Sequence, residues 1–459
     1  MNHQLQNIER RTRELCTFKT GVVSDENKQL FEKMCEELPF ELHRYPSGLE
    51  SNGWTVPQAW RVKKAEVFKN GEKVFDGKDS ALGVAYYSRS FSGKLPYEFF
   101  KNYVVTNSDV PEAHIFHCMW QYRPWHADWA LSIPYDTFKN FGEGNYSIEL
   151  ETEYSEGEMV VAEYHLQGEL DKTIIFNAHT CHPHMANDGF AGVAVLMEIA
   201  QWLRSLPSRR YSYKFLFGPE HLGTVFFLKD KTCEELYNYI SGVFAEMPGT
   251  SGAIKVTSTF LGGQPIDRAF QHVLKHYSKK SEVVGWRKGA GNDETVWEAP
   301  GYEVPFVEMT RCIDQFAPFR EYHTDLDTPG SLDWEQVGEF FTALQNMIFV
   351  LENNCTMHRK FSGLICLSNP KYDLYMERPD PAVHKDLPED SEKWGHLLDS
   401  LLRYFDGEIT ILDIAEKHDL PFKRLFHYLK KYEEKGLIIL KPVIIERVPI
   451  SEIHKDVFA

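Results

Sequence analysis

The alternation of hydrophobic and polar positions changes rhythm several times along the chain. Residues 1–55 carry apolar residues at helical spacing, clearest in NKQLFEKMCEEL, which predicts a largely helical N-terminal part. From 56 to 165 the period shortens. AEVFKNGEKVFDG, ALGVAYYSRSF and YSIELETEYSEGEMVVAEYHL alternate apolar and polar residues and are punctuated by NG, DG, GEGN and EG. Period-two segments bounded by such turns predict an inserted antiparallel β-domain, with the NG of VFKNGEKVF as a hairpin turn.

Between 166 and 376 the runs become continuous. KTIIFNAH, YKFLFG and SGVFAEM read as buried strands, AGVAVLMEIAQWLRSL has helical period, and WEQVGEFFTALQNMIFVLENN reads as a closing helix. Strand, helix and strand in this order predict an α/β core, a parallel or mixed sheet covered by helices. ERPDPAVHKDLPEDSEKW (377–394) is rich in proline and charge and reads as a linker. Residues 395–459 then offer three helices, HLLDSLLRYFDG, ITILDIAEKHDL and PFKRLFHYLKKYEEKGL, and the strand-like IILKPVIIERV. That is the layout of a winged helix-turn-helix.

Composition narrows the function classes. A chain of 459 residues predicts two or three domains, and 42% hydrophobic with 14% aromatic residues excludes global disorder. A formal charge of −17 argues against a general nucleic-acid binder. MNHQLQNIERRTREL lacks the apolar region of a signal peptide, and no run approaches the ~18 apolar residues that span a bilayer. The eight cysteines are scattered without CxxC pairs, which suits a reducing compartment. A soluble cytoplasmic protein is expected.

Candidate chemistry concentrates behind the first buried strand, in IIFNAHTCHPHMANDGFAG (174–192). Ligands of open α/β sheets bind beyond the carboxyl ends of the strands, where His179, Cys181, His182 and Asp188 fall. Zinc hydrolases need imidazoles, a carboxylate and a position left for water. A lone Asp here is more often a helix N-cap, and an isolated His more often packed than ligating; the cluster shifts that balance. Glu220, in YKFLFGPEHLG, follows the second strand at the same sheet end, where a carboxylate can move a proton from water to a leaving amine. FREYHTDLDTPGSL places His323 among acids, of which Asp325 or Asp327 could fix its tautomer. GAGNDETVWEAPGYEVPFVEM puts Asp293 and Glu294 before a further strand. A solvated loop acid and an ordinary acidic turn are the plain alternatives for Glu220 and HTDLDTPG.

HTCHPHMAND with its following glycine, GPEHLG, GNDETVWEAPGYEVP and EYHTDLDT occur in the order and spacing of the zinc aminopeptidase superfamily. The chain resembles a bacterial aminopeptidase-like branch of it over nearly its full length, and YRPWHADWALSIP is similar to that branch's inserted domain. The resemblance implies a mixed-sheet core sandwiched by helices, with the inserted β-domain and a C-terminal winged helix. It implies His182, Asp188 and His323 as zinc ligands, with His179 in reserve, because the wider superfamily places its first His directly after the strand. Glu220 takes the general-base position. Asp293 matches an acidic position near the active site, in a supporting or substrate-contacting place. Apart from the resemblance, Glu294, Tyr322 and Asp327 are further substrate-binding or supporting candidates by their place in these motifs, with Tyr322 as an oxyanion donor. Two departures stand out: Cys181 replaces an acid when His179 is aligned, and His221 replaces a second glutamate after the general base. A second metal would require His221 and Glu246, so one zinc per chain is expected.

Three functions compete. The first is a zinc hydrolase of amide bonds, an aminopeptidase-like exopeptidase or a deacylase or amidase of a small acylated metabolite. The second is a non-catalytic ligand-binding regulator whose winged helix carries Lys423, Arg424, Lys430 and Lys431, although Glu433 and Glu434 follow and nucleic acid is not the expected partner. The third is thiol chemistry at Cys181, which lacks an orienting partner. Trp120, Tyr122, Trp125 and Trp129 suit either a core or a substrate entrance. The β-domain is expected to overhang the zinc site and restrict it to small substrates. No membrane partner is expected, and a homo-oligomer is left open.

Overall fold

The apolar run that ends in His179 lies inside an eight-stranded sheet. The computed structural model describes residues 3–376 and 390–447. The chain divides into two units. One comprises 1–262, 282–341 and 447–459, the other 263–281 and 342–446.

In the first unit, α1 (His3–Leu15) and α2 (Asp25–Cys35) precede β1 (Glu41–Pro46). Strands β2 (Ala59–Lys69), β3 (Glu72–Asp76), β4 (Phe91–Pro96) and β5 (Asn145–Ser155) follow. Next come β6 (Glu158–Leu166), β7 (Leu170–His179), α3 (Ala191–Ser205), β8 (Tyr211–Gly218), α4 (Leu222–Lys229) and β9 (Tyr239–Ala245). The short strands β10 (Ile254–Thr257), β11 (Ser281–Val284) and β12 (Phe306–Thr310) complete the large sheet.

Its order is β1-β6-β8-β7-β9-β12-β10-β11. Strands β8, β7, β9 and β12 run parallel, which gathers their carboxyl ends on one edge. Strands β1 and β6 are antiparallel additions on one side, and β10 is antiparallel to β12. Every residue of β8 and β9 is buried, as continuous apolar runs in a helix-covered sheet require. Ile175, Leu216, Phe244 and Phe306 form one cluster with Leu222 and Phe226 of α4 and with Trp297.

The four-stranded sheet β3-β2-β5-β4 is antiparallel and has its own core, including Ala65, Val67, Phe100, Trp129, Tyr146 and Ile148. Asn70 and Gly71 turn between β2 and β3 at φ 53° and 88°, the positive pair that a tight hairpin demands.

Two expectations shift. The stretch expected to be helical to residue 55 leaves the helical state at β1, the edge strand of the large sheet, and closes in a small hairpin of Glu50–Ser51 with Trp54–Thr55. The region expected to belong to the β-domain up to residue 165 loses β6, which joins the large sheet. Alternation identifies a strand but does not say which sheet will take it, and Met159–Tyr164 is buried on both faces.

In the second unit, a helix at Pro265–Tyr277 accompanies a three-stranded sheet. Cys355–Arg359 is its middle strand, flanked by Asp406–Thr410 and Ile438–Pro442. Helices span Ser391–Ser400, Ile411–His418 and Phe422–Glu434. The middle strand precedes the Pro-rich stretch, where sequence reading placed both strands after the helices. Residues 377–389 of the expected linker lie outside the described residues. Among those described, no helix is long and apolar enough to cross a membrane.

Candidate metal centre

The carboxyl edge of β7 leads into a loop and then a single π-turn, Ala186–Phe190, before α3. Such turns are rare and recur at functional sites. Asp327 fixes this one: its carboxylate accepts the backbone N–H groups of Asn187 (2.8 Å) and Asp188 (3.0 Å). A side chain at Gly189 would stand 2.8 Å from the His179 carbonyl, so glycine is required there. Asp188 does not cap the helix. Phe190 occupies the N-cap position and makes no side-chain bond.

The Asp188 carboxylate instead faces imidazoles. Its Oδ2 lies 3.1 Å from His182 Nε2 and 3.6 Å from His323 Nε2, and its Oδ1 is 3.9 Å from His179 Nε2. His182 Nδ1 donates to the Pro183 carbonyl (2.8 Å), which fixes the tautomer and leaves Nε2 turned to Asp188. Its ring stacks on Phe116 (centroids 4.0 Å), and its carbonyl accepts the Thr20 hydroxyl (2.8 Å).

His323 arrives from the loop after β12 at φ 54°, an uncommon conformation for this residue. Its carbonyl accepts the Phe116 N–H (2.7 Å), Ile115 bridges Thr324, and Tyr322 stacks on its ring at 3.9 Å.

Three groups of ligand-type atoms converge within 4.8 Å of one another at this edge: His182, Asp188 and His323; His179, Asp188 and Glu246; and His179, Cys181 and Glu220. Asp188 is common to the first two. The histidines differ in what they offer. His179 spends Nε2 on the Asp188 carbonyl (2.6 Å), leaving Nδ1 near Cys181 Sγ (3.5 Å), whereas His182 keeps Nε2 for the centre.

Burial and charge set the protonation states. Burial raises the Asp188 carboxyl, but the His182 hydrogen bond and the His323, His182 and His179 charges outweigh it, to about 2. Burial lowers His323 to about 4, leaving a neutral imidazole at pH 7. Glu246 is pushed well above its ordinary value by burial and by Glu308, and its Oε1 is buried without a hydrogen-bond partner. Burial also raises Asp327 and the Tyr322 hydroxyl far above their ordinary values, so the phenol remains a donor.

Glu220 follows β8 and is part-exposed. Its Oε2 lies 3.8 Å from His179 Nδ1 and its Oε1 3.5 Å from His221 Nε2. Asp293 accepts the His221 N–H (2.7 Å) and the Thr224 hydroxyl. Glu294 is fully buried on Arg287 (3.1 Å) and the Asn292 N–H (2.7 Å), and burial lifts it to about 7. Asp293 thus braces the turn at His221, while Glu294 ties Arg287 and Asn292 within its own segment.

Sequence reasoning missed Phe116, Cys118 and Trp54. Phe116 and Cys118 come from AHIFHC, and Trp54 from a two-residue hairpin strand that places its ring 6.2 Å from His221. The contacts that bring Phe116 and Trp54 to the site are long-range, and no local motif marks them. Of the tryptophans noted earlier, Trp129 is core, stacked between Phe91 and Tyr103 (4.3 Å each), and Trp125 is exposed. Cys181 is buried, which pushes its thiol well up, and burial lifts Cys118 to about 11. Neither is a ready thiolate.

The model of the family described as "Domain of unknown function (DUF4910)" matches residues 10–354. A Clostridium acetobutylicum protein, named as a candidate polysaccharide biosynthesis protein with an aminopeptidase-like domain, is 28% identical over 402 residues. The match covers 85% of this chain and 86% of that one. A crystal structure of a candidate peptidase from C. acetobutylicum superposes with TM-score 0.78 at 25% identity, covering 95% of this chain and 96% of that one. The zinc aminopeptidase BSAP of Bacillus subtilis shares the fold at TM-score 0.56 and 11% identity, over 76% and 94% of the two chains.

Proposed function

We propose that this chain, which belongs to the DUF4910 family, is a zinc-dependent hydrolase of amide bonds, an aminopeptidase-like exopeptidase on small peptide-like substrates. The observation that carries the reading is the convergence of His182, Asp188 and His323, from two loops distant in sequence, with two imidazole nitrogens and a carboxylate oxygen within 4.8 Å of one another. Such a donor set suits Zn²⁺, with a fourth position for water. When bound, one zinc would polarise the substrate carbonyl and lower the pKa of a water to roughly 7.

The chain's own residues do the rest. His182, Asp188 and His323 hold the ion, with His179 in reserve, and Asp327 aims Asp188 through the π-turn. Glu220 is the general base: it takes the proton of the attacking water and returns it to the leaving amine. Tyr322, held protonated, donates to the developing oxyanion. Asp293 and Glu294 keep the surrounding loops in place.

A second reading within the same chemistry, a deacylase or amidase of a small metabolite, is favoured by the segment at Phe116–Tyr122. Phe116 lies against both ligand histidines, which restricts access to small substrates. We also read the helices and strands from Ser391 onward as a winged helix serving protein contact rather than DNA. The eight free cysteines support a cytoplasmic location.

The test is elemental analysis of wild type and His323→Ala, with wild type assayed on aminoacyl amides and N-acyl amino acids. About one zinc per chain, lost in the variant, and cleavage of the amides is expected; preference for the acylated substrates selects the deacylase. A wild type that cannot be loaded with zinc ends the hydrolase reading and leaves the ligand-binding one.

A further inference from the structure

His221 occupies the position next to Glu220, and its backbone is unusual. The Leu222 N–H donates to the Glu220 carbonyl (2.7 Å), closing a γ-turn centred on His221 at φ 52° and ψ −54°. This positive-φ form is rare and strained, and strain of this kind persists only where the surroundings over-determine it. Here they do. Asp293 accepts the His221 N–H (2.7 Å), and the Thr224 hydroxyl of α4 holds the other Asp293 oxygen.

The turn drives the imidazole between two carboxylates. Nδ1 lies 3.1 Å from Asp293 Oδ1 and Nε2 lies 3.5 Å from Glu220 Oε1. Neither contact has hydrogen-bond geometry, yet a carboxylate beside each nitrogen favours the charged imidazolium form. Burial opposes that charge, but Asp293 and Glu220 outweigh it and raise His221 to about 9. Among the described residues, none of the ligand-type groups includes His221. The ring nitrogens stand beside Asp293 and Glu220. Oε1 of Glu220 is ion-paired with the imidazole at 3.5 Å, and its other oxygen is the one that looks toward His179 (3.8 Å).

We propose that His221, anchored by Asp293, is a positioning residue that fixes the Glu220 carboxylate with one oxygen held and the other turned to the reacting water. This rests on the reading of Glu220 as general base. It assigns the histidine that replaces a glutamate here to orientation of the base rather than to a second metal.

The zinc-loaded full-length protein tests it with His221→Gln, Glu220→Gln and the double variant. His221→Gln keeps its zinc and a KM within about twofold of wild type, while kcat falls about 10- to 100-fold, a part of what a general base contributes. On a Glu220→Gln background the same change adds little, because the two act as a unit. Loss of zinc from His221→Gln, or full additivity in the double variant, overturns the proposal. A second arm needs no turnover: in metal-free protein with ¹⁵N-labelled histidine, His221 shows both ring N–H groups, and Asp293→Asn abolishes the Nδ1–H signal. His221→Gln controls the assignment. Ring signals unchanged by Asp293→Asn refute the anchoring pair even if the hydrolase reading stands, and the expected signals with no zinc uptake fault that reading instead.

Discussion

Two buried carboxylates in this protein, Glu163 and Asp188, are both held near 2, and the neighbours responsible are of different kinds. Glu163, on β6, receives His43 Nε2 (2.8 Å), the Lys214 ammonium and, at 3.7 Å, Lys231. Burial lowers Lys214, and Glu163 opposes that shift, so the acid and the amine of this cluster balance each other. Among the described residues the ion-pair partners of Asp188 are imidazoles, with the Glu246 carboxyl also within 4.8 Å, and His323, lowered to about 4 by burial, brings no charge at pH 7. Both have the residue types and spacing of a metal site: His182, Asp188 and His323 in one, Glu41, His43 and Glu163 on the paired strands β1 and β6 in the other. The difference teaches that a histidine–acid cluster reads as a metal centre only when no resident cation already balances the acid.

The largest test of this contrast removes each acid's partners. Asp188→Asn or His323→Ala should abolish zinc binding and lower turnover about 10³-fold or more, measured by elemental analysis and steady-state kinetics. Glu163→Gln should leave zinc content untouched and instead cost about 3–5 kcal/mol in urea unfolding, because Lys214 is then buried without its counter-ion. A zinc defect in Glu163→Gln would erase the distinction. Asp327→Asn should weaken zinc about 10- to 100-fold in competition with a chelating dye, since it loosens the π-turn that aims Asp188.

The smallest effect is in pH. His323 protonates near 4 in the fold and near 6.5 when free, so between these values the unfolded chain binds the proton better. Stability of the metal-free protein should therefore rise with pH across that window and fall on acidification. Glu163, near 2 folded and 4.5 free, contributes fully above 4.5 and loses its contribution as pH falls toward 2. Urea midpoints against pH should show His323→Gln flattening the upper window and Glu163→Gln the lower.

What sequence could reveal follows the range of the interactions. KTIIFNAH, YKFLFG and SGVFAEM declare themselves as strands because burial on both faces leaves a continuous apolar run. His182, Asp188, Glu220 and His323 were nameable because each sits just past such a strand or in a dense cluster. The fates of β1 and β6 were not legible, because pairing partners far along the chain decide which sheet a strand joins. Asp327 was legible as an acid near His323, yet its bonds run to Asn187 and Asp188, a connection only the fold makes. Phe116 leaves no local trace at all, since its role is three ring contacts, to Tyr86, His182 and His323, and one backbone bond across the molecule.

That backbone bond has an evolutionary consequence. Chain segments interposed between the strands of a sheet usually drift freely in length and sequence, since little depends on their position. Here the Phe116 N–H holds the His323 carbonyl, and Ile115 pairs with Thr324. Trimming or exchanging the segment to widen the entrance would therefore release the strained histidine it restrains. In this lineage, access and chemistry can change only together.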